Sequence, residues 1–443
     1  MELPKGWVNT TLESISYGDN SIVDGPFGSN LKTSDYIDDS DNGVPVLTTK
    51  NLAGDYSRTS VRYISQAKFE ELKRSQVKGG DILVAKIGSI GKTGIYPLSR
   101  PTAIIPANLL KFTVNPDIVL RYVYYFLNFS EFQKTLKAIS SATAQPAFNV
   151  TKFRRLNIPL PPLAEQERIV AKIDALFSKL DKGVETLQTI RQQLKTYRQA
   201  VLKWAFEGCE LVELRKLAEA IDPQPSHRTP PEFEGGIPYV GIRECDYSTR
   251  KINFKIARKV SPDVLIEHIN RYKIYDGDFI IGKIGTIGKP FLVPLEQNYT
   301  LSANIVLIQP NFEKTSKDYL FYAFQTQGVD IQLRKANSTT QAAFGIQRVR
   351  TLMMPLTSED KKKQTAIVSA IESLLSVCDK LESIVEENIA KAEALRQSIL
   401  KKAFSGQLVP QDPNDEPAEE LLKRIKAEQV SGKRKRNNAG GKP

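Results

Sequence analysis

The sequence predicts an α+β protein in which two tandem-repeated globular domains are joined by two long antiparallel coiled-coil helices. Residues 164–208 and 359–406 carry apolar residues at alternating three- and four-residue steps, which is typical of a helix whose apolar stripe is covered by another helix. The segments that precede them share short motifs in the same order, at offsets of 193 to 202 residues. Because the chain repeats itself in this way, we expect pseudo-two-fold symmetry.

Each long helix is predicted to carry two apolar seams. In the first helix the seams are Ile173, Leu180, Leu187, Leu194, Val201 and Leu176, Gly183, Ile190, Tyr197, Trp204. In the second helix they are Ile371, Cys378, Val385, Ala392, Ile399 and Leu374, Leu381, Asn388, Leu395. Forty residues at about 1.5 Å each form a rod of about 60 Å, so each helix is expected to act as a strut that packs on the other. Asn388 on a seam is expected to be buried and to fix the helix register.

The repeat divides the chain into five segments. We predict a first globule (1–163), a central spacer helix (164–208), a second globule (209–358), a distal spacer helix (359–406) and a C-terminal segment (407–443). The C-terminal segment is expected to form a short helix that begins near Pro417 and runs to about residue 429. A basic, disordered tail is expected to follow over 431–443.

Both globules contain the same glycine-rich motif. Gly80–Lys92 matches Gly277–Lys289, and each copy contains a short apolar run between glycines, which predicts a buried strand followed by a tight turn. Residues 104–114 and 301–309 predict further strands, and residues 118–137 predict a helix. The Gly-Lys-Thr at 91–93 is not a nucleotide-binding loop, because that loop requires a glycine where Lys86 stands.

Composition and charge exclude several classes of protein. The formal net charge is +12, but residues 423–443 carry eight basic residues and one Glu, so 12 − 7 = +5 remains on the rest. The charge therefore supports a nucleic-acid partner without establishing one. No apolar run is long enough for a membrane span, and three widely separated cysteines fit a reducing compartment. We expect a cytoplasmic protein with no membrane contact and no zinc site.

Catalytic motifs are not evident. The two histidines, His227 and His268, lack the spacing of metal ligands, and the Asn-Pro-Pro-aromatic segment of an amino-methyltransferase is missing. We therefore expect this chain to have no catalytic residues and to bind no metal or cofactor.

Comparison of the two copies predicts how DNA contacts would be divided. Residues that both copies share cannot distinguish two ligands, so shared lysines beside the glycine-rich turns suit phosphate contact, with solvated turn lysines as the alternative. Shared amides, Asn108/Asn304 and Gln145/Gln341, could contact base edges, although a scaffold hydrogen bond is the better interpretation. Base-discriminating residues are expected where the copies differ, at 48–51 against 241–244 and at 140–149 against 337–347.

These considerations give a set of predicted DNA-binding residues, although all of them are also ordinary loop residues. The set is Lys50, Asn51, Lys86, Ser89, Lys92, Gln145, Asn149, Arg243, Lys283, Thr286, Lys289, Gln341 and Gln347.

Several segments together resemble the specificity (S) subunit of type I restriction-modification enzymes. They are the run Pro-Leu-Pro-Pro-Leu-Ala-Glu-Gln-Glu-Arg-Ile-Val at 159–170, the helix end at 194–208, the tandem Gly-Asp-Ile-Leu and Gly-Asp-Phe-Ile strands, and residues 398–406. The opening Leu-Pro-Lys-Gly-Trp and residues 418–428 are also similar, so the resemblance covers nearly the whole chain. The second copy departs from the pattern at 358–364, which leaves the start of the second helix less well defined.

The resemblance implies a complete functional scheme. Each globule would be a target recognition domain for one half of a bipartite, asymmetric site in double-stranded DNA, and the paired helices would set the spacer. Two modification subunits would dock on the helices and carry S-adenosylmethionine and the adenine methylation chemistry. Two restriction subunits would bring ATP, Mg²⁺, translocation and cleavage, so this chain would supply recognition without catalysis. The alternatives are a methyltransferase fusion, which would itself bind S-adenosylmethionine, and a coiled-coil scaffold with two ligand-binding domains.

Overall fold

A computed structural model describes residues 3–26, 28, 30–38, 43–55, 61–140, 146–247, 249–283, 286–296, 298–337 and 345–439. Its contacts divide the chain into two units. Unit 1 is Met1–Glu185 with Ile389–Pro443, and unit 2 is Thr186–Asn388. Each unit therefore contains one globule and one end of each long helix.

Globule 1 of unit 1 is built from short strands and short helices. Its strands are β1 (Val8–Thr11), β2 (Ile22–Asp24), β3 (Tyr36–Ile37), β4 (Val44–Val46), β5 (Arg62–Ile64), β6 (Gln76–Val77), β7 (Ile82–Ala85), β8 (Thr93–Ile95), β9 (Ala103–Ile104), β10 (Leu109–Phe112) and β11 (Asn157–Leu160). Its helices are α1 (Gln66–Glu71), α2 (Leu120–Leu127), α3 (Ser130–Ala138) and α4 (Val150–Arg154).

The described residues of globule 1 form three sheets. An antiparallel sheet has the order β2-β10-β7-β8, a mixed sheet has the order β3-β5-β4-β9-β6, and β1 pairs with β11. The central strand β7 is apolar and completely buried, as a short apolar run between glycines predicts. Strand β10 beside it is also completely buried and includes Lys111. Residues 118–137 form two helices, α2 and α3, instead of the single predicted helix. The chain leaves α2 at Asn128, whose side chain donates to the Tyr124 carbonyl, and α3 begins after Phe129.

The long helix α5 (Leu163–Ala205) leads to globule 2 of unit 2. The strands there are β12 (Glu210–Glu213), β13 (Ala218–Ile221), β14 (Ile237–Val240), β15 (Cys245–Asp246), β16 (Lys251–Ile252), β17 (Arg258–Val260), β18 (Phe279–Gly282), β19 (Phe291–Leu292), β20 (Thr300–Leu301), β21 (Ile305–Pro310) and β22 (Met353–Leu356). The helices are α6 (Pro262–Arg271), α7 (Tyr319–Ala323), α8 (Gln327–Asn337) and α9 (Ile346–Arg350), followed by α10 (Lys361–Phe404) and α11 (Ala418–Ala439).

Globule 2 repeats the topology of globule 1. Its antiparallel sheet has the order β13-β21-β18-β19, which corresponds strand by strand to β2-β10-β7-β8. The β17-β14-β20 sheet corresponds to β5-β4-β9, and in both the last pairing is parallel. The β12–β22 pair corresponds to β1–β11. The predicted tandem repeat and α+β class are therefore confirmed.

The long helices pack antiparallel within each unit. In unit 2, Arg191 of α5 pairs with Glu386 of α10, and Arg198 pairs with Glu382, so residue numbers rise on one helix as they fall on the other. In unit 1, the start of α5 packs against the end of α10 in one apolar core. The first predicted seam is the covered one, with buried members Ile173, Leu194, Val201, Ile371, Cys378, Val385 and Ile399.

The second seam is more open than predicted. Its members Tyr197, Trp204, Leu381 and Leu395 are 47%, 60%, 42% and 50% exposed. Asn388 is also exposed, and its amide donates to the Ile384 carbonyl of its own helix at 2.7 Å. The prediction that Asn388 is buried is therefore wrong, and this removes the basis for its predicted role in fixing the helix register.

The C-terminal segment belongs to globule 1. Helix α11 buries Ala418, Leu421, Leu422 and Ile425 in the core of unit 1. Helix α11 continues to Ala439, beyond the predicted end near residue 429 and through much of the predicted disordered tail. Lys, Arg and Ala dominate residues 433–439 and favour helix continuation, and residues 440–443 lie outside the described part of the chain.

Two further findings concern the described residues. None of their helices is long and apolar enough to cross a membrane. The cysteines Cys209, Cys245 and Cys378 are free thiols.

Candidate nucleic-acid interface

The glycine-rich motif of globule 1 forms the turn of an antiparallel β7–β8 hairpin. Gly88 and Gly91 have φ values of 76° and 83°, which L side chains rarely adopt. A Cβ on Gly91 would lie 2.0 Å from Gln133 Oε1, and the Gln133 amide donates to the Gly91 carbonyl at 2.9 Å. Helix α3 therefore clamps this turn.

The equivalent turn of globule 2 is clamped in a different way. Gly288 has a φ of 67°, and a Cβ there would lie 2.2 Å from Leu333 Cδ1 on α8. The same backbone is thus held by an amide in globule 1 and by an apolar side chain in globule 2.

The shared lysines at the ends of β7 and β18 are buried. Lys86 is 7% exposed and its Nζ lies 2.5 Å from Asp24 Oδ2. Lys283 is 4% exposed and its Nζ lies 2.7 Å from Asp222 Oδ2. An ammonium group that is held in a buried ion pair cannot also face a DNA phosphate. We therefore remove both lysines from the predicted DNA contacts and assign them to the scaffold.

The other polar residues of the two turns are exposed. They are Ser89, Lys92, Thr286 and Lys289. The Lys289 ammonium lies 4.1 Å from the centre of the Tyr247 ring, and Tyr247 donates to the Lys289 carbonyl at 3.1 Å. Partial burial, together with the positive charge of Arg198, lowers the pKa of Lys289.

An open groove of about 710 Å³ lies beside the turn of globule 1. It is lined by Gly88, Ser89, Ile90, Lys92, Lys137, Ser140 and Pro146. Two lysines and two serines thus border one concave surface, a combination of groups that suits an anionic, hydrogen-bonding ligand.

The loops after β4 and β14 follow one design. The buried Asn51 side chain accepts from the Thr48 amide at 2.5 Å, and the buried Glu244 side chain accepts from the Gly241 amide at 2.8 Å. Each side chain accepts from the backbone amide three residues before it, and the two positions are equivalent in the repeat, 193 residues apart. Asn51 is therefore a scaffold residue, which corrects its prediction as a DNA contact.

The residue before each of these two side chains is an exposed cation. Lys50 and Arg243 occupy this equivalent position and are both exposed. In globule 1 the short 3-10 helix Asn51–Ala53 packs on β8, because a Cβ on Gly94 would lie 2.7 Å from the Leu52 carbonyl oxygen. Since Gly94 is two residues after Lys92, the loop that carries Lys50 lies next to the glycine-rich hairpin.

The third predicted segment also lies against this turn. Ala147 forms an isolated antiparallel bridge with Ile87, and the exposed Asn149 caps α4 by accepting from the Thr151 amide at 2.7 Å. Gln347 is exposed in the first turn of α9. Gln145 and Gln341 lie outside the described residues. The structure thus brings together the turn, the Lys50 loop and the start of α4, which are distant in sequence.

Apolar residues on the long helices form a second surface. Besides Tyr197 and Leu381, Val377 and Ile384 of α10 are more than half exposed. In unit 2, the Arg198–Glu382 ion pair places Tyr197 and Leu381 at the same level of the helix pair. The sequence contains a signal for this surface, since Tyr197, Trp204, Leu381 and Leu395 all belong to the second seam, but not the information that this seam stays uncovered.

Comparisons with known proteins agree on one family. The family described as "Type I restriction modification DNA specificity domain" matches residues 28–196 and 207–391. The EcoBI specificity subunit of Escherichia coli is 24% identical over 97% of this chain and 94% of its own length. The EcoKI specificity subunit of Escherichia coli strain K12 is 23% identical, with 97% of each chain covered.

A solved structure supports the fold. It comes from work on complex assembly and conformational transition of the type I R-M system. It matches with a TM-score of 0.66 and 18% identity, over 92% of this chain and all of the solved chain.

Proposed function

This chain belongs to the family of the type I restriction-modification DNA specificity domain, and from this premise we propose that each globule recognises one half of a bipartite, asymmetric DNA site. The chain is similar to specificity subunits over 97% of its length. The proposal assigns to it sequence recognition and assembly, while the chemistry is left to other subunits.

One observation carries the proposal, namely that the same scaffold occurs twice with different exposed side chains. The strand order, the ion pair of a buried lysine with an aspartate, and the loop in which a side chain accepts from the amide three residues earlier recur in both globules. The exposed residues around them differ, as at Asn149 against Gly345. Two copies of one framework with different contact residues suit two different half-sites.

The proposed contacts of each globule lie on the loops around its glycine-rich turn. In globule 1 they are Lys50, Ser89, Lys92 and Asn149, and in globule 2 they are Arg243, Thr286, Lys289 and Gln347, all of which are exposed. Lysine and arginine suit phosphates, whereas hydroxyl and amide groups suit base edges. Gln145 and Gln341 stay in the proposal as sequence-based predictions.

The helix pair is proposed to set the spacer and to dock two modification subunits. The exposed residues Tyr197, Val377, Leu381 and Ile384 of unit 2 supply an apolar and aromatic surface of the kind that protein interfaces use. S-adenosylmethionine would be bound by the two modification subunits, and ATP and Mg²⁺ by two restriction subunits.

The decisive experiment is co-expression with a modification subunit, followed by mapping of methylated adenines on the host DNA. The proposal expects a split motif with a fixed gap that appears only when both proteins are present. Exchange of residues 1–155 with those of another family member should change only one half of that motif. A change in both halves, or in neither, would contradict the assignment of one globule to each half-site.

Docking is tested separately with Leu381→Lys and Tyr197→Lys. Both substitutions place a charge on the exposed apolar surface and should reduce co-purification with the modification subunit. Lys195→Glu, on the polar part of α5, is the control. A scaffold role would be favoured if the purified chain gave neither a complex with the modification subunit nor methylation.

A further inference from the structure

We propose that Lys152 on α4 and Arg348 on α9 contact DNA phosphates from the same place on each globule. With Lys50/Arg243 and Lys92/Lys289 they form a recurring cationic set, which holds the DNA backbone without distinguishing its sequence. This inference rests on the proposed function, because it assigns roles within the same DNA-binding surface. It adds two residues that comparison of the sequence motifs did not select.

Helix α4 holds Lys152 in a fixed position on globule 1. The next residue, Phe153, is completely buried and stacks on Phe148 at a centroid distance of 5.6 Å. Arg154 then donates to the Ile22 carbonyl of β2 at 2.6 Å. Both following residues are anchored to the core, whereas Lys152 and the preceding Thr151 are exposed.

Helix α9 is anchored in the same way on globule 2. Val349 is completely buried, and Arg350 donates to the Ala220 carbonyl of β13 at 3.1 Å. Since β13 corresponds to β2 in the repeat, Arg348 is the exposed equivalent of Lys152, 196 residues later. Each globule therefore presents a cation at this position.

The start of α4 lies close to the other proposed contacts. The N-cap residue of α4, Asn149, lies two residues after Ala147, which pairs with Ile87 of the glycine-rich turn. Lys152 is in the first turn of this helix. Because the chain enters α4 next to the hairpin that carries Lys92, we assign Lys152 to the same DNA-binding surface.

Burial separates two kinds of recurring cation. The buried Lys86 and Lys283 recur together with their ion-pair partners Asp24 and Asp222, so their recurrence is explained by the fold. The cations at 50/243, 92/289 and 152/348 recur instead at exposed positions. A common ligand of opposite charge accounts for this, and a phosphate backbone is the ligand that two different half-sites share.

The neighbours of these cations differ between the copies. Thr151 precedes Lys152 where Gln347 precedes Arg348, and Thr49 precedes Lys50 where Ile242 precedes Arg243. At these positions both globules have a cation, whereas the residue before the cation differs between them. Contacts to phosphates would fix the register of each globule on the duplex, and the neighbouring side chains would contact base edges.

The test measures the salt dependence of DNA binding by the full chain. Lys152→Gln and Arg348→Gln are compared with the parent on a duplex with the mapped target and on a scrambled duplex, from about 50 to 200 mM salt. Each substitution should weaken binding to both duplexes by the same factor. It should also reduce the slope of log affinity against log salt by about 0.9, the value expected for one lost phosphate contact. Lys152→Arg should restore both quantities.

Two further variants make the result specific. Lys423 lies on the exposed face of α11. Lys423→Gln removes the same charge as Lys152→Gln but from another helix, and it should leave the slope of log affinity against log salt unchanged. Thr151→Gln should alter one half of the methylated motif and leave the slope unchanged. An unchanged slope for Lys152→Gln, or a loss confined to the target duplex, would overturn this inference alone. Failure of the parent chain to bind either duplex would reject the proposed function and this inference with it.

Discussion

In unit 1 the start of α5 is held by residues from both ends of the chain, whereas in unit 2 the start of α10 is held by its own globule. Glu165 accepts from the Trp7 indole at 2.9 Å, and Arg168 forms a bidentate ion pair with Asp415. The residue of α10 that corresponds to Glu165 is the exposed Lys363. Among the described residues, the terminal segments therefore hold the start of the long helix in unit 1 only.

Glu165 is a buried carboxyl group at the point where the terminal segments contact α5. The residue is 1% exposed, and Oε1 has no hydrogen-bond partner among the described residues. Burial raises the pKa of the Glu165 carboxyl, and the hydrogen bond from Trp7 partly offsets this. The N-terminal segment, α5 and the C-terminal segment thus meet around the buried Glu165 carboxyl. We therefore expect these three segments to unfold together.

The largest expected effect comes from ending the chain after Gly406. This removes Leu421, Leu422 and Ile425 from the core of unit 1, and the aliphatic burial alone corresponds to about 5 kcal/mol or more of unfolding free energy. Hydrogen exchange should show unit 1 losing protection while the strands of unit 2 keep theirs. An equal loss of protection in both units would contradict the conclusion that the C-terminal segment stabilises unit 1 only.

The matched control deletes only residues 431–443. The buried face of α11 stays intact in this variant, so exchange in unit 1 should not change. DNA binding should weaken mainly at low salt, because basic residues in such a tail would contact phosphates without specificity. Equal weakening at all salt concentrations would contradict this role.

The buried ion pairs should come next in size. Lys86→Met removes the buried partner of the partly buried Asp24 and leaves Arg74 at 4.0 Å from it, so the variant is expected to cost about 3 kcal/mol. The pair Lys86→Met with Asp24→Leu should be close to neutral. Urea unfolding measures both, and Lys283→Met with Asp222→Leu is the corresponding test in unit 2. If Lys86→Met instead left stability unchanged and reduced the salt dependence of DNA binding, that result would favour the sequence-based prediction that Lys86 contacts a DNA phosphate.

These lysines show why the fold was more predictable than the site. Seams and repeated motifs are local patterns, so the long helices, the buried strands and the duplication could be predicted from spacing alone. Lys86 lies beside a glycine-rich turn in sequence, but its partner Asp24 is 62 residues away. Asn51 has a loop-like neighbourhood, yet its side chain accepts from the Thr48 amide in a turn that the sequence did not reveal. The roles of polar residues depend on contacts of this kind.

The two glutamines at the helix starts should have equal effects in the two units. Gln166 accepts from the Val119 amide at 3.0 Å, and Gln364 accepts from the Ser316 amide at 2.6 Å. Substitution of either by Met leaves a buried amide without its acceptor, at about 1–3 kcal/mol. Denaturant unfolding of the two variants measures the lost unfolding free energy. A loss in only one unit would show that the two glutamines do not stabilise their units equally.

The two units should differ in how their stability depends on pH, because the buried His268 belongs to globule 2. It contacts Gln224 at 2.5 Å, Tyr272 at 3.3 Å and Thr300, and burial lowers its pKa. The neighbouring Glu267 raises this pKa and Arg271 lowers it further.

Because the unfolded chain protonates first, stability is fully present above the ordinary histidine pKa of about 6.5. It should be lost as the pH falls from there towards the lower folded pKa, by at most about 1.4 kcal/mol per pH unit. Unfolding of unit 2 between pH 7 and 5 measures this, and His268→Gln should remove the difference. A pH dependence that survives in this variant would assign the effect to another group.

The smallest effect separates two residues of the same helix in unit 2. Val385 is 4% exposed on the covered seam, so Val385→Ala should cost about 1–3 kcal/mol. Asn388, three residues later, is exposed and bonds only within its own helix among the described contacts, so Asn388→Ala should change stability by less than about 0.5 kcal/mol. Thermal unfolding of both variants compares them directly. A large cost for Asn388→Ala would mean that Asn388 fixes the helix register after all, as the heptad pattern had predicted, and that the second seam is covered in the protein's working state.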